Sequence, residues 1–404
     1  MTSTMDRILT SLDSLVKEGF FGDVQFVKAV SNEATDVGAQ FASSLLFIDL
    51  TVKCKSEEKL LPLVIKLQNG VVGHYTHFYN ELLMYKEVIP ALGFDEESCP
   101  RLYYGKVDEE TQHENMLIFE DLRAKKFTLC KQPLFLDFEH ILIAIKKISI
   151  FHSRSYILKY KDLRKFHKLA GMFKKHDYKA LYLDFDKEHI AAAERGKLAF
   201  QELRGVDVDN VLDDFLKALT NTFEVWKELL APEEPFAVIC HGDFCNNNLM
   251  FRYDMNDTPV NCALIDFQRG DYLSPGSELA FYLYMHTSAE VREKHWDKFL
   301  TIYWETLKEN VPDDVEIPSF EDFLQHFARH AVYGYFIACF FVPLMMAPND
   351  IIWDDLTQEE KLHQGRSLGG KEADEKLADI VSHMYNKRYI HAFLDSVKQK
   401  DATK

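Results

Sequence analysis

The chain has 404 residues, is 47% hydrophobic and 27% charged, and carries a formal net charge of −17. That length supports two lobes with their own cores, and the negative charge argues against nucleic acid or an anionic membrane as partner. Seven cysteines, odd in number and without paired spacing, read as free thiols in a reducing compartment; with no signal-peptide core in Met1 to Leu15, a cytoplasmic location is expected.

Strand-like segments rich in Val, Ile, Leu, Phe and Tyr recur at Val24–Val30, Phe41–Val52, Leu60–Gln68, Arg101–Val107 and Met116–Phe119, which predicts a sheet. Between the first two lies Gly38-Ala39-Gln40-Phe41-Ala42-Ser43-Ser44, where a glycine among small residues either lets backbone N–H groups approach phosphate or makes an ordinary hairpin turn. Helical spacing runs from His74 to Ile89 and is expected to stop at Pro90. Within it Phe78, Glu81, Leu82 and Tyr85 share one stripe, so Glu81 faces a core. A carboxylate there needs a compensating cation. Lys66, inside Leu63-Val64-Ile65-Lys66-Leu67, is the candidate. In kinases a strand lysine of this kind meets the nucleotide phosphates and is held by a helix glutamate. The alternative is a snorkelling lysine on an edge strand, with a glutamate at the helix margin.

Leu117-Ile118-Phe119-Glu120-Asp121-Leu122 ends the strand run and is placed to hinge two lobes. Beyond it the pattern turns helical, over Phe138 to Tyr156, Ile190 to Leu203 and Val211 to Leu230. The basic stretch Lys159 to His176 reads as a solvated helix face rather than a device for steering an acidic substrate.

The most specific segment is His241-Gly242-Asp243-Phe244-Cys245-Asn246-Asn247-Asn248, followed by Leu264-Ile265-Asp266-Phe267. It follows the kinase pattern His-x-Asp-x-x-x-x-Asn, then a hydrophobic strand ending in Asp-Phe. In that chemistry one carboxylate orients a hydroxyl and accepts its proton. A carbonyl oxygen and a second carboxylate hold Mg²⁺ against the ATP phosphates. Leu249–Tyr253, the turn formers Asp254–Pro259 and then Val260–Ile265 predict a β-hairpin. Paired about Asp257, its strands bring Asn248 and Asp266 side by side, two hard oxygen ligands suited to Mg²⁺. Taken singly, each Asp or Asn reads as a turn residue; the combination points to phosphoryl transfer. His241 is expected to pack beneath the loop with no proton-transfer role. Cys240 and Cys245 flank it without a Cys-x-x-Cys pair, so zinc is not expected there.

Further on, Ala331 to Ala347 is mostly apolar but short, and it holds Gly334 and Pro343. A buried helix ending near Pro343 is expected rather than a membrane span, with its aromatics mainly in the core. The chain has no Gly-x-Ser-x-Gly elbow of a serine hydrolase.

These pieces resemble the ecdysteroid kinase-like family, within the aminoglycoside and choline phosphotransferases that share the protein-kinase fold. The resemblance rests on the Gly38 to Ser44 turn, Val64-Ile65-Lys66, Phe78-Tyr79-Asn80-Glu81 with Tyr85 and Pro90, and Glu120-Asp121-Leu122. It continues through Phe151-His152-Ser153-Arg154-Ser155, His241 to Phe251, Asp266-Phe267-Gln268 and Gly276-Ser277-Glu278-Leu279-Ala280. His-Gly-Asp and Asp-Phe-Gln in place of His-Arg-Asp and Asp-Phe-Gly are particular to such small-molecule kinases.

The resemblance implies Asp243 as catalytic base, Asn248 and Asp266 as Mg²⁺ ligands, Lys66 on the phosphates with Glu81 as its partner, nucleotide contacts at Gly38 and Ser43, and backbone contacts to adenine at Glu120 and Leu122. Glu278 stands where the family usually has Asp, and its longer side chain steadies the catalytic loop only if its helix sits slightly back. No arginine precedes Asp243, which argues against switching by a phosphorylated activation loop.

The expected fold is α+β and protein-kinase-like. A smaller lobe over residues 1–122 has an antiparallel sheet and one main helix, and a mainly helical lobe spans residues 123–404. The expected function is ATP-dependent phosphorylation of a hydroxyl on a small molecule, an ecdysteroid or a lipophilic foreign alcohol or phenol. The alternatives are a choline- or aminoglycoside-type kinase, whose cationic acceptors call for an acidic or aromatic cage, and a catalytically inactive nucleotide-binding protein.

Overall fold

The computed structural model describes residues 4–32, 43–68, 75–94, 97–132, 134–176, 185–204, 210–347 and 356–402. A five-stranded antiparallel sheet occupies the amino-terminal part, with strands β1 (Gln25–Ser31), β2 (Ser43–Cys54), β3 (Glu57–Gln68), β4 (Leu102–Lys106) and β5 (Met116–Glu120) in the order β1-β2-β3-β5-β4. Successive side chains of a strand point to opposite faces. Ile48, Leu50, Val52, Leu63, Ile65 and Ile118 therefore bury one face, against Ile8, Leu12, Leu15 and Val16 of the helix Thr4–Lys17. The other face carries Val64 and Lys66 and receives Phe78 and Leu83 of the helix Tyr75–Leu83. A lysine lands on an inward face because the alternation of β3 puts it there.

That helix does not stop at Pro90. It passes through a wider π turn at Met84–Val88, where Ile89 N–H donates to the Met84 carbonyl, and continues as Ile89–Leu92 before Gly93 ends it at φ +63°. Pro90 then sits in the first turn of the last segment, just after the π turn has changed the hydrogen-bond pattern.

After β5 the chain is mostly helical. Two small sheets interrupt it: β6 (Phe127–Leu129) pairs with β8 (Leu249–Tyr253) and β8 with β9 (Pro259–Leu264), while β7 (Val238–Cys240) pairs with β10 (Asp271–Leu273). The α+β architecture expected from the sequence is the one observed. The helix expected over Val211 to Leu230 is two, Val211–Leu219 and Thr222–Leu230. Between them Thr220 Oγ1 donates to the Lys217 carbonyl, a local bond that competes with helix continuation.

The helix Pro275–His286 is buried all round and starts three residues before Glu278, with Ser274 as cap and Pro275 in its first turn. Val332–Met346 packs against it and runs three residues beyond Pro343. A Cβ on Gly334 would lie 2.3 Å from the Tyr284 ring, so the two helices approach too closely there for any side chain. Tyr333, Tyr335 and Phe336 are core, whereas Phe341 is exposed. No single helix among the described residues is long and apolar enough to cross a membrane.

Most of the basic stretch is solvated, with Lys161, Arg164, Lys165, Lys168 and Lys175 exposed. Lys159 is largely buried on Glu234, and Lys175 reaches Asp271 at 2.6 Å.

Candidate active site

β8 and β9 pair from Leu249 opposite Leu264, and Ile265 N–H donates to the Asn248 carbonyl at 3.0 Å. Asn248 and Asp266 therefore leave the open end of the hairpin as neighbours. Asp266 takes φ +63°, a left-handed conformation that aspartate tolerates better than most residues. Its carboxylate meets Lys66: the ammonium lies 2.8 Å from Asp266 Oδ1 and 2.6 Å from Glu81 Oε2, with Gln268 Oε1 at 3.4 Å. One buried cation thus joins β3, the helix Tyr75–Leu83 and the segment after β9.

Burial opposes the charge on Lys66, but the carboxylates of Asp266 and Glu81 outweigh it and hold the group above the ordinary lysine value. Burial pushes Glu81 up to about 7, against the pull of Lys66. The sheet face explains the meeting, since Lys66 pairs with Leu45 and Leu117 across the strands. The edge-strand alternative is excluded by position: β3 is central, and Lys66 is 4% exposed.

The loop after β7 carries Asp243. His241 Nε2 donates to the Ile265 carbonyl at 2.9 Å, while its Nδ1 accepts from Asp243 N–H at 3.3 Å. With both ring nitrogens so used, His241 ties the loop to the hairpin. Gly242 adopts φ +79°, and a Cβ there would sit 1.9 Å from the Arg269 carbonyl oxygen. Asn248 Nδ2 donates to the Asp243 backbone carbonyl (2.9 Å) and to its Oδ2 (3.1 Å). Arg269 Nη1 lies 3.8 Å from Asp243 Oδ1. Burial pushes Asp243 above the ordinary carboxyl value and the nearby Asp266 adds to the rise, against the pull of Arg269, His241 and Asn248.

Glu278 reaches the loop in spite of its changed length. Oε1 accepts from Gly242 N–H at 2.5 Å, and Oε2 accepts from His241 N–H at 3.2 Å and from His152 Nε2 at 2.8 Å. Burial alone would raise its pKa; the bond and charge of His152 and the Gly242 N–H hold it below the ordinary value.

Ser43 opens β2 on the face that carries Lys66, opposite Gln68. Gly38 lies outside the described residues. Glu120 ends β5 with its carboxylate on Lys125 at 2.9 Å, and Leu122 begins a short 3₁₀ turn capped by Asp121.

Three contributors escaped sequence reading. His152 was visible only as part of a resemblance, Gln268 only as a letter in a triplet, and Arg269 not at all. No periodicity marks residues whose partners lie on other elements.

The donor set fits Mg²⁺. With Asn248 Nδ2 committed to Asp243, the amide oxygen is left as a hard acceptor on the residue next to Asp266 across the hairpin end, and an amide and a carboxylate oxygen are the kind of donors Mg²⁺ takes with water and phosphate.

A search of curated proteins finds no match. Solved structures share the overall path remotely. APH(2")-IIia, in its GDP and kanamycin complex, is 11% identical with a TM-score of 0.42, over 90% of this chain and 98% of that one. The amicoumacin kinase hAmiN, in complex with AMP-PNP, Ca²⁺ and Ami, is 12% identical with a TM-score of 0.38, over 87% and 88%. An aminoglycoside phosphotransferase from Alicyclobacillus acidocaldarius is 12% identical with a TM-score of 0.36, over 92% and 94%. At such distances none assigns a role to a residue. The sequence model of the ecdysteroid kinase-like family, by contrast, matches residues 37–313, well over half of the chain. The chain belongs to the ecdysteroid kinase-like family, a family of kinase-like small-molecule phosphotransferases.

Proposed function

We propose that this protein transfers the γ-phosphoryl group of ATP to a hydroxyl of a small molecule, with an ecdysteroid or another lipophilic alcohol or phenol as acceptor. The observation that carries this is Lys66, buried between Glu81 and Asp266 and aimed at the segment beside Asp243 and Asn248. A lysine so held has no packing role that a methionine would not fill at lower cost.

Asp243 orients the acceptor hydroxyl and takes its proton, and its raised pKa brings it nearer to that task. Lys66 meets the phosphates, and Glu81 keeps it from turning away. Asn248 and Asp266 hold Mg²⁺, which when bound neutralises charge on the nucleotide. Glu120 and Leu122 contribute backbone contacts to adenine, and Gly38 and Ser43 belong to the phosphate-covering turn. Positioning and charge neutralisation supply most of the rate, since phosphoryl transfer asks for little covalent chemistry from the protein. The acid, amide and lysine positions are all filled, which favours an active enzyme over an inactive binding protein.

The test is a mass-spectrometric screen of a metabolite extract incubated with protein, ATP and Mg²⁺, seeking products heavier by one phosphate group. Wild type is expected to yield such a product and Asp243→Asn none. Equal product from both would remove Asp243 from its assigned role, and competition between sterol and amine acceptors would decide the acceptor class.

A further inference from the structure

Away from the Lys66 cluster, two histidines one helical turn apart, His326 and His330 of the helix Phe320–His330, converge on Glu233. His326 Nδ1 lies 3.6 Å and His330 Nε2 3.3 Å from Glu233 Oε2. We propose that Glu233, His326 and His330 bind a divalent transition-metal ion, with zinc the best match.

The hydrogen bonds on the far sides of the rings carry the argument. His330 Nδ1 faces the Leu229 carbonyl at 2.9 Å, which only accepts, and Ser277 Oγ at 3.1 Å, whose own proton goes to that same carbonyl. Nδ1 of His330 is therefore a protonated nitrogen, and Nε2 is the nitrogen that faces Glu233, where a metal ion would take the place of a shared proton. His326 faces a hydroxyl, which can donate or accept. Its Nε2 meets Ser274 Oγ at 2.9 Å, while its buried Nδ1 has no hydrogen-bond partner among the described residues.

Two ring nitrogens and a carboxylate oxygen converge on one point, and a cation placed there would meet all three. Metal-ligating histidines commonly donate their other ring N–H to a carbonyl or similar acceptor, which fixes the tautomer.

The spacing agrees. Zinc bonds of about 2.0–2.1 Å at tetrahedral angles separate neighbouring ligand atoms by about 3.3–3.5 Å. The two observed nitrogen–oxygen separations bracket that range, and 3.6 Å is too long for a hydrogen bond. Histidines at i and i+4 on one helix face are a recurrent zinc pair. Phe236 stacks on His326 at 4.2 Å and 13° and fixes its ring, and Arg329 holds the other carboxylate oxygen of Glu233 at 2.6 Å.

The ion's consequence follows from what it joins. Glu233 lies in the segment entering β7 and the Asp243 loop. Ser274 and Ser277, which touch the two rings, open the helix that carries Glu278. Zinc here would clamp the approach to the catalytic loop against that helix, independently of nucleotide binding.

Full-length protein freed of metal with a chelator, and shown still folded by circular dichroism, is titrated with Zn²⁺ in competition with a chromophoric chelator. One equivalent is expected to bind and to raise the Tm. His330→Gln and Glu233→Gln are expected to lose that equivalent, and His113→Gln, at an exposed histidine, to keep it. Should the site variants fail to fold, Co²⁺ added to metal-free wild type is expected to give the intense visible absorption of a four-coordinate site. No uptake by folded wild type, uptake undiminished in the folded site variants, or only the weak spectrum of six-coordinate cobalt would each overturn the proposal.

Discussion

Lys66 Nζ stands 2.6 Å from Glu81 Oε2 in a region where both side chains are almost completely buried. A pair so placed costs desolvation on both partners, and removing one leaves the other uncompensated. Lys66→Met is expected to lower phosphotransfer by roughly 10²–10³-fold, the scale seen when an electrostatic stabiliser is lost.

The substitution also changes the pH dependence of stability. Burial raises Glu81 from the ordinary 4.5 to about 7 in the folded protein. Between those values the folded state holds more protons than the unfolded one, so this group's contribution is full at low pH and is lost as pH rises toward 7. Lys66 pulls Glu81 down; without it the carboxyl moves higher and the loss continues to higher pH. Urea midpoints of wild type and Lys66→Met at about pH 5 and about pH 8 check this, since the gap between the proteins should widen with pH. A gap that does not change would rule out the coupling.

Asp243 and Arg269 make a second pair with a readable sign. Asp243→Asn is expected to lower kcat by roughly 10²–10⁴-fold, the usual worth of the general-base role proposed for it, with the fold intact. The wild-type carboxyl is raised by burial and by Asp266 and pulled down by Arg269. Arg269→Met should therefore raise it further and move the acid limb of kcat/KM to higher pH. An acid limb that stays in place while activity falls would give Arg269 a purely structural role.

Much of this geometry was legible in the sequence, for local reasons. Turn formers between two strand-like runs specify the hairpin that joins Asn248 to Asp266. Helical periodicity puts Glu81 on a buried face, and an apolar strand around Lys66 gives it a partner. The continuation past Pro90 was not legible, because a π turn absorbs the proline by changing a hydrogen-bond pattern that spacing alone does not encode. His152 and Glu278, 126 positions apart, meet through the packing of two helices; no local rule joins them. The same holds for Arg269 and Asp243, which depend on the path of the chain after Phe267.

Glu278 connects three donors to one carboxylate, and its removal is expected to be felt throughout the Asp243 loop. Glu278→Ala leaves the backbone N–H groups of His241 and Gly242 and the ring of His152 without their acceptor. A loss of about 3–5 kcal/mol is expected from breaking a buried charged network of this kind. Glu278→Asp, one methylene shorter, should forfeit at least one bond and cost about 1–3 kcal/mol. The folded pKa of Glu278 is depressed, so its stabilisation is present above the ordinary value of 4.5 and is lost as pH falls through the folded value. Urea denaturation at neutral and acidic pH should show the gap between wild type and Glu278→Ala closing in acid. Equal midpoints at neutral pH would mean that the loop does not need this anchor.

Gly242 tests whether the loop's position or only its side chains matter. Its φ of +79° disfavours any L side chain, and a Cβ would meet the Arg269 carbonyl oxygen at 1.9 Å, a backbone atom that cannot rotate away. The left-handed strain alone costs about 1–2 kcal/mol, and relief of the clash requires the segments around Asp243 and Arg269 to separate. Asp243 and Asn248 lie on one side of that contact and Asp266 on the other, so separation pulls the Asp243 carboxyl and the Asn248 amide away from Asp266. Gly242→Ala is therefore expected to lose activity out of proportion to its stability, with a kcat drop of at least the Asp243→Asn scale at temperatures where the protein remains folded by circular dichroism. Kinetics and denaturation measured on the same preparation decide it. Near-normal kcat in a folded Gly242→Ala protein would show that the two segments need not touch for the reaction to proceed.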